Sequence, residues 1–285
     1  MIVFVRTRHD YPSYTDYWRL VELAGFPVTY SDEMQRNLMW TNPDATFIVS
    51  PVNGEYGPDH FVDPARRAKV VWWNLERPGC DSSMKFPIAH EDKRFDETWV
   101  SDRFYATLGA NHEKPYRYVT LGTDMRLRAE DCDPERDLPE CYHARGMPTD
   151  GRPLQWKDVG TTFKYDVIHL SYLSHRRQHV IPNILKATGW TCAPTGWGQD
   201  RHQALLESRA MLAVHQDDWP VVEPLRYALA AAYGLPVWGE AATDHYPWVR
   251  EPELHQRLDC GLVLLRPPPL DQYNFRKLVE EACKR

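Results

Sequence analysis

The sequence predicts an α/β protein built on parallel sheets, and three observations support this. Residues 207–240 read as a buried strand, a polar loop, a helix, a glycine stop and a second strand. A unit of that length between two strands is a βαβ crossover. Residues 2–30 repeat the rhythm, with the apolar run Ile2–Val5, the polar run Arg6-Thr7-Arg8-His9-Asp10, a helical pattern ending at Gly25 and a strand at 28–30. Between the two, residues 125–160 crowd Asp, Glu, Pro and Gly without periodicity, which is linker chemistry. Two α/β halves are therefore expected, 1–124 and 161–285, on either side of a linker or excursion at 125–160.

Each element has its own signal. Tyr14, Tyr17, Trp18, Leu20, Val21, Leu23 and Ala24 recur at helical spacing, as an amphipathic helix requires. Apolar runs at 44–52, 70–73, 98–101 and 116–122 each close on a polar tip, which collects the loops on one edge of a sheet. In the second half a strand and loop at 164–173 lead into Ser174-His175-Arg176-Arg177-Gln178, the start of a helix that carries Val180, Ile181, Ile184 and Leu185. The segment Trp190-Thr191-Cys192-Ala193, a loop at 194–198 and a helix over 201–209 follow. Met211–Val214 is a run of four apolar residues, fit for a strand covered on both faces. The loop His215–Pro220 runs into a helix expected over 221–233, with Gly234 in the capping position. Strands at 235–239 and 261–265 and a last helix over 270–284 complete the chain.

Composition narrows the function. At 285 residues the chain accommodates one large domain or two of about 100–150 residues. With 42% hydrophobic and 26% charged residues it is an ordinary globular chain rather than a disordered one. No apolar run approaches the roughly 20 residues that span a bilayer, so no membrane insertion is expected. The opening Met-Ile-Val-Phe-Val-Arg is too short for a signal peptide and reads as a first strand; a cytoplasmic location follows as an expectation. Six dispersed cysteines without a Cys-x-x-Cys pair read as reduced thiols. A formal charge of −6 weighs against a broad nucleic-acid footprint and leaves Arg6, Arg8, Arg66, Arg67 and Lys69 as the one basic strip to test. No Gly-x-Gly-x-x-Gly follows the first strand, so a dinucleotide fingerprint is not supported.

The loop at 215–220 lies at the carboxyl end of a parallel strand, where open α/β sheets bind ligands, and leads into a helix N-terminus, which suits phosphate. The arrangement over 207–240 resembles the donor-binding half of GT-B glycosyltransferases, particularly the CgeB-like and family-1 groups. Phe95–Asp102 and Tyr118–Asp124 are looser matches to the late part of the N-terminal domain of such enzymes. The resemblance implies two Rossmann-like domains facing each other across a cleft, and a metal-independent hexosyltransferase. It implies a UDP- or GDP-linked sugar as co-substrate and no further cofactor. It makes Glu223 the ribose ligand and sets Arg176 and Arg177 on the donor diphosphate, with Arg226 a lesser candidate. Gly196 and Trp197 would lie against the base. His215 stands where the family's pair of Glu, seven residues, Glu has its first member. An inverting attack needs a base from the N-terminal loops; Asp10, His9 and Glu76 are the candidates, with Glu55 beside them.

No metal site is expected. Asp217-Asp218 lack the Asp-x-Asp spacing, and His175 and His179 stand at i, i+4 without a third ligand. The acceptor is unidentified; a hydroxymethylated base in viral DNA is one candidate. The alternatives are a nucleotide-sugar epimerase or hydrolase, and a non-catalytic nucleotide- or glycan-binding module.

Overall fold

A computed structural model describes residues 1–6, 14–30, 41–49, 66–75, 95–108, 116–127, 163–171, 173–194, 198–216, 223–242, 247–250 and 261–284. The chain divides into two compact α/β units. The first holds Met1–Gly122, Glu223–Leu225 and Asn274–Arg285; the second holds Thr123–Val222 and Arg226–Tyr273. The sequence-derived division placed residues 274–285 in the second half, whereas here they belong with the first.

In the first unit, strands β1 (Ile2–Arg6), β2 (Val28–Tyr30), β3 (Thr46–Val49), β4 (Lys69–Asn74), β5 (Glu97–Val100) and β6 (Tyr116–Tyr118) form one sheet in the order β2-β1-β3-β4-β5-β6. Every pairing is parallel. A parallel sheet is covered on both faces, so its strands run apolar without alternation; Val70, Val71, Trp72 and Trp73 are all buried. On one face Val3, Val5, Phe47, Val49, Val70, Trp72 and Phe95 form a single core. The aromatic cluster of Phe4, Tyr17, Trp73 and Trp99 is completed from the far end of the chain, where Phe275 stacks on Trp73 at 6.0 Å between ring centres. Helix α1 (Thr15–Leu23) buries Tyr17, Trp18, Leu20 and Val21, the face its periodicity predicts. A short helix, α2 (Arg103–Leu108), follows β5.

The second unit repeats the design. Its strands are β7 (Tyr165–Ile168), β8 (Cys192–Ala193), β9 (Ser208–Ala213), β10 (Val237–Glu240), β11 (Val249–Arg250) and β12 (Leu262–Arg266), in the order β11-β12-β10-β9-β7-β8. The pairs among β7, β8, β9 and β10 are parallel; β12 runs antiparallel to both β10 and β11. Helices α3 (His175–Thr188), α4 (Gly198–Leu206) and α5 (Pro224–Ala232) lie between the strands in sequence, and α6 (Phe275–Lys284) ends the chain. Val167, Ile181, Ile184, Ala210, Leu212, Val214, Trp238 and Leu264 form the core against α3.

Several boundaries differ from the sequence expectation. Helix α5 starts at Pro224, not near Val221. Proline disfavours helical geometry in the residue before it and suits the first helical position, which outweighs the apolar pair Val221-Val222. Helix α4 ends at Leu206 rather than 209 because Ser208 and Arg209 enter β9, with Ser208 opposite Tyr165. The run expected as a strand over 116–122 pairs only through Tyr118. The last helix begins at Phe275 rather than 270.

In both sheets the chain order reverses beside the first strand, between β1 and β3 in one unit and between β7 and β9 in the other. Ligands of open α/β sheets bind outside the carboxyl ends of the strands at such a reversal.

Candidate functional site

The carboxyl edge of β7, β9 and β10 carries the polar constellation that the fold singles out. Ser174 caps α3 in extended geometry, and its Oγ accepts the amide N–H of Arg177 at 3.3 Å. The same hydroxyl donates to the carbonyl of Gln216 at 2.6 Å, past the end of β9. His169, 2% exposed just after β7, brings Nδ1 to 2.9 Å from the carbonyl of Leu212; a carbonyl only accepts, so this nitrogen carries the proton. The Nε of Arg177 donates to the carbonyl of Val214 at 2.8 Å. Bonds from the β7 side therefore fix the loop after β9 at two points and the end of β9 itself at a third.

Arg176 makes the charged contacts. Its Nη1 and Nη2 fork onto the carboxylate of Glu240 at 2.8 and 2.6 Å, and Nη1 also donates to the carbonyl of His215 at 3.1 Å. Glu240, the last residue of β10, accepts a third bond from the amide N–H of His215 at 2.7 Å. Burial works to raise the Glu240 pKa. The bonds from Arg176 and the His215 amide, with the charge of Arg176, outweigh it and hold the carboxyl below the usual glutamate range. The first turn of α3 has no acidic residue. Arg176 instead puts a guanidinium at the positive end of the helix dipole, which is unfavourable unless an anion is near. His175 and His179 are both exposed, with ring centres 4.7 Å apart. Among the described residues no group of three or more His, Cys, Asp or Glu could hold a metal ion.

Comparison with protein-family models, curated proteins and solved structures gives no match. Function therefore has to be argued from the residues.

Of the residues singled out in the sequence, Arg176 and His215 meet at this edge. Arg177 is beside them in sequence but is 0% exposed, with its guanidinium turned to the main chain of β9's end. That geometry makes it a strut of the loop rather than a surface phosphate ligand. Glu223, half-buried, immediately precedes α5 and is grouped with the first unit; Arg226, also half-buried, lies in the first turn of α5 within the second. His9, Asp10, Glu55, Glu76, Gly196, Trp197, Asp217 and Asp218 lie outside the described residues.

Of the residues of the expected basic strip, Arg8 lies outside the described residues. Lys69 begins β4 while Arg6 ends β1, and through β3 the two positions are four residues apart along parallel strands, about 13 Å. Arg66 forks onto Asp96 and Lys69 pairs with Glu97, so both carry their own counter-ions. Arg6 stacks over Trp18 at 5.1 Å.

Sequence reading missed Ser174 as the cap, His169 and Glu240. Serine before a periodic helix was a usable signal. Nothing in the sequence indicated that a carboxylate ending β10 would reach Arg176, because that contact joins residues 64 apart.

Proposed function

We propose that this chain is a glycosyltransferase of the GT-B type, which moves a hexose from a UDP- or GDP-linked donor to an acceptor. In this reading its two Rossmann-like units face each other across a cleft. The second unit holds the donor diphosphate outside β7 and β9, against the first turn of α3 with Arg176, and Glu223 grips the ribose. The first unit supplies the acceptor surface. One observation carries the proposal: Ser174 caps α3 at the strand-order reversal of the second sheet, and the first turn holds His175 and the guanidinium of Arg176 with no acidic residue. A helix N-terminus and a guanidinium fork are suited to phosphate oxygens. Ser171 adds a buried hydroxyl in the loop after β7 that has no hydrogen-bond partner among the described residues.

Catalysis in such a site is positioning together with neutralisation of the leaving diphosphate. Each charge-assisted hydrogen bond to the diphosphate contributes about 1.5–3 kcal/mol. The deciding experiment incubates the protein with UDP- and GDP-hexoses, with and without a panel of hydroxyl acceptors, and follows both nucleotide release and the sugar. Nucleotide release that depends on an acceptor supports the transferase. An altered sugar without transfer means an epimerase, release without acceptor dependence means a hydrolase, and binding without turnover means a recognition module.

A further inference from the structure

We propose that the carboxylate of Glu240 occupies the anion seat at the edge of the second sheet and must leave it when a phosphate-bearing ligand binds. Glu240 is then a built-in competitor that sets the affinity of the site. The inference rests on the reading of a diphosphate at that edge.

The donor set supports it. Two guanidinium N–H groups of Arg176 and the amide N–H of His215 converge on one carboxylate at 2.6–2.8 Å. A planar fork with a main-chain amide is as well suited to two phosphate oxygens as to a carboxylate. The three donors come from the turn that opens α3 and from the loop after β9, whereas the carboxylate comes from a third element, β10. Glu240 thus reaches the donor set from a strand that supplies none of the donors. The pair is not sealed away, since the side chains of Arg176 and Glu240 are 27% and 16% exposed.

Both anions cannot share the seat. At an effective dielectric near 20, two like charges about 4 Å apart lose more than a hundredfold in affinity. Departure of Glu240 can be local. The bonds of Ser174 to Gln216 and of Arg177 to Val214 hold the loop without it, and that of His169 to Leu212 holds the end of β9.

The test compares the wild-type chain with Glu240→Gln and Arg176→Gln, using inorganic pyrophosphate as the probe in calorimetry and thermal melting at low ionic strength. Glu240→Gln is expected to melt below wild type without the anion, because Arg176 loses its counter-charge. It should bind pyrophosphate at least about tenfold more tightly than wild type, and pyrophosphate should restore its melting temperature. Arg176→Gln should bind at least about tenfold more weakly. A smaller neutral variant, Glu240→Ser, is read in the same way, so the outcome does not hang on one protein folding.

Equal or weaker pyrophosphate binding by the neutral variants, or a melting temperature that the anion fails to restore, would overturn the inference and leave Glu240 as a support for Arg176. Tighter pyrophosphate binding without binding of any UDP- or GDP-sugar would keep the anion seat and overturn the transferase. Failure of wild type and variants alike to bind pyrophosphate or nucleotide would overturn both.

Discussion

Arg176 and Arg177 are neighbours of the same chemistry with different surroundings, and the sequence could not separate them. Successive helical residues point about 100° apart, so one guanidinium reaches Glu240 while the other enters the core beneath the loop. The roles predict opposite phenotypes. Arg177→Met keeps much of the volume but leaves the Val214 carbonyl without its donor, which should cost about 2–3 kcal/mol, read as a lower urea midpoint with an unchanged slope. Arg176→Gln should change stability less and weaken nucleotide-sugar binding by about 2 kcal/mol, near thirtyfold; a titration of the donor checks it. The acid-base behaviour of Glu240 gives a further expectation. Its carboxyl is held below the usual range in the folded state, so the folded state binds its proton less readily than the unfolded chain. Its contribution to stability is therefore complete above the unfolded value of about 4.3 and is lost as pH falls through the lower folded value. Urea midpoints of wild type and Glu240→Gln should differ most at neutral pH and converge toward pH 3. A constant difference would mean that the ion pair contributes nothing to acid sensitivity.

At the level of elements, the strands were the most legible part, because burial on both faces writes an unbroken apolar run. Val70–Trp73 lies wholly in β4, and Met211–Ala213 in β9. Direction was not legible: Leu262–Leu265 announces a buried strand equally well in either orientation, and only the pairing of Val237 with Leu265 through Glu240 with Leu262 makes it antiparallel. Helix ends were read well where a special residue marks them and poorly where two signals competed, as at Val221-Val222 against Pro224. Gly25 and Gly234 are the markers that were read, both at positive φ; Gly189 is one that the sequence reading passed over. It ends α3 with φ of +70° and donates to the carbonyl of Leu185 at 2.9 Å. Nothing lies within 4 Å of where its Cβ would be, so Gly189→Ala should cost only the left-handed backbone term, about 1–2 kcal/mol. Gly239 is the contrasting case. A Cβ there would sit 2.9 Å from the hydroxyl of buried Tyr227, so Gly239→Ala forces a shift in β10 or α5 and should cost about 1–3 kcal/mol through overpacking. Paired thermal melts of the two alanine variants test whether the second penalty is steric: Gly239→Ala should be relieved by Tyr227→Phe, and Gly189→Ala should not.

For the whole molecule, chain order misled about where the last helix belongs. Periodicity shows that Phe275, Val279 and Ala282 lie on one face of α6, and all three are buried. It cannot show which of two apolar cores that face completes. Phe275 meets Phe4, Phe26, Tyr17 and Trp73 of the first unit, so the N-terminal sheet gains part of its cover only when the final residues are in place. Burial pushes the Cys283 thiol on the same helix up to about 11, a state in which thiolate chemistry is suppressed at neutral pH. The consequence is sharp for a chain ending at Tyr273. It lacks an aromatic side chain whose removal by Phe275→Ala alone should cost about 3–5 kcal/mol, and it exposes the rings that Phe275 covered. Amide protons of β1, β3 and β4 should lose protection in the truncated chain, and the near-ultraviolet dichroism of the Trp73 cluster should collapse. Those of β7, β9 and β10, whose core is built from α3 and its own strands, should keep theirs. In the 285-residue chain the peptide carrying Cys283 should resist iodoacetamide until denaturant is added. If the first sheet stays protected without residues 274–285, α6 is an accessory rather than a part of that core.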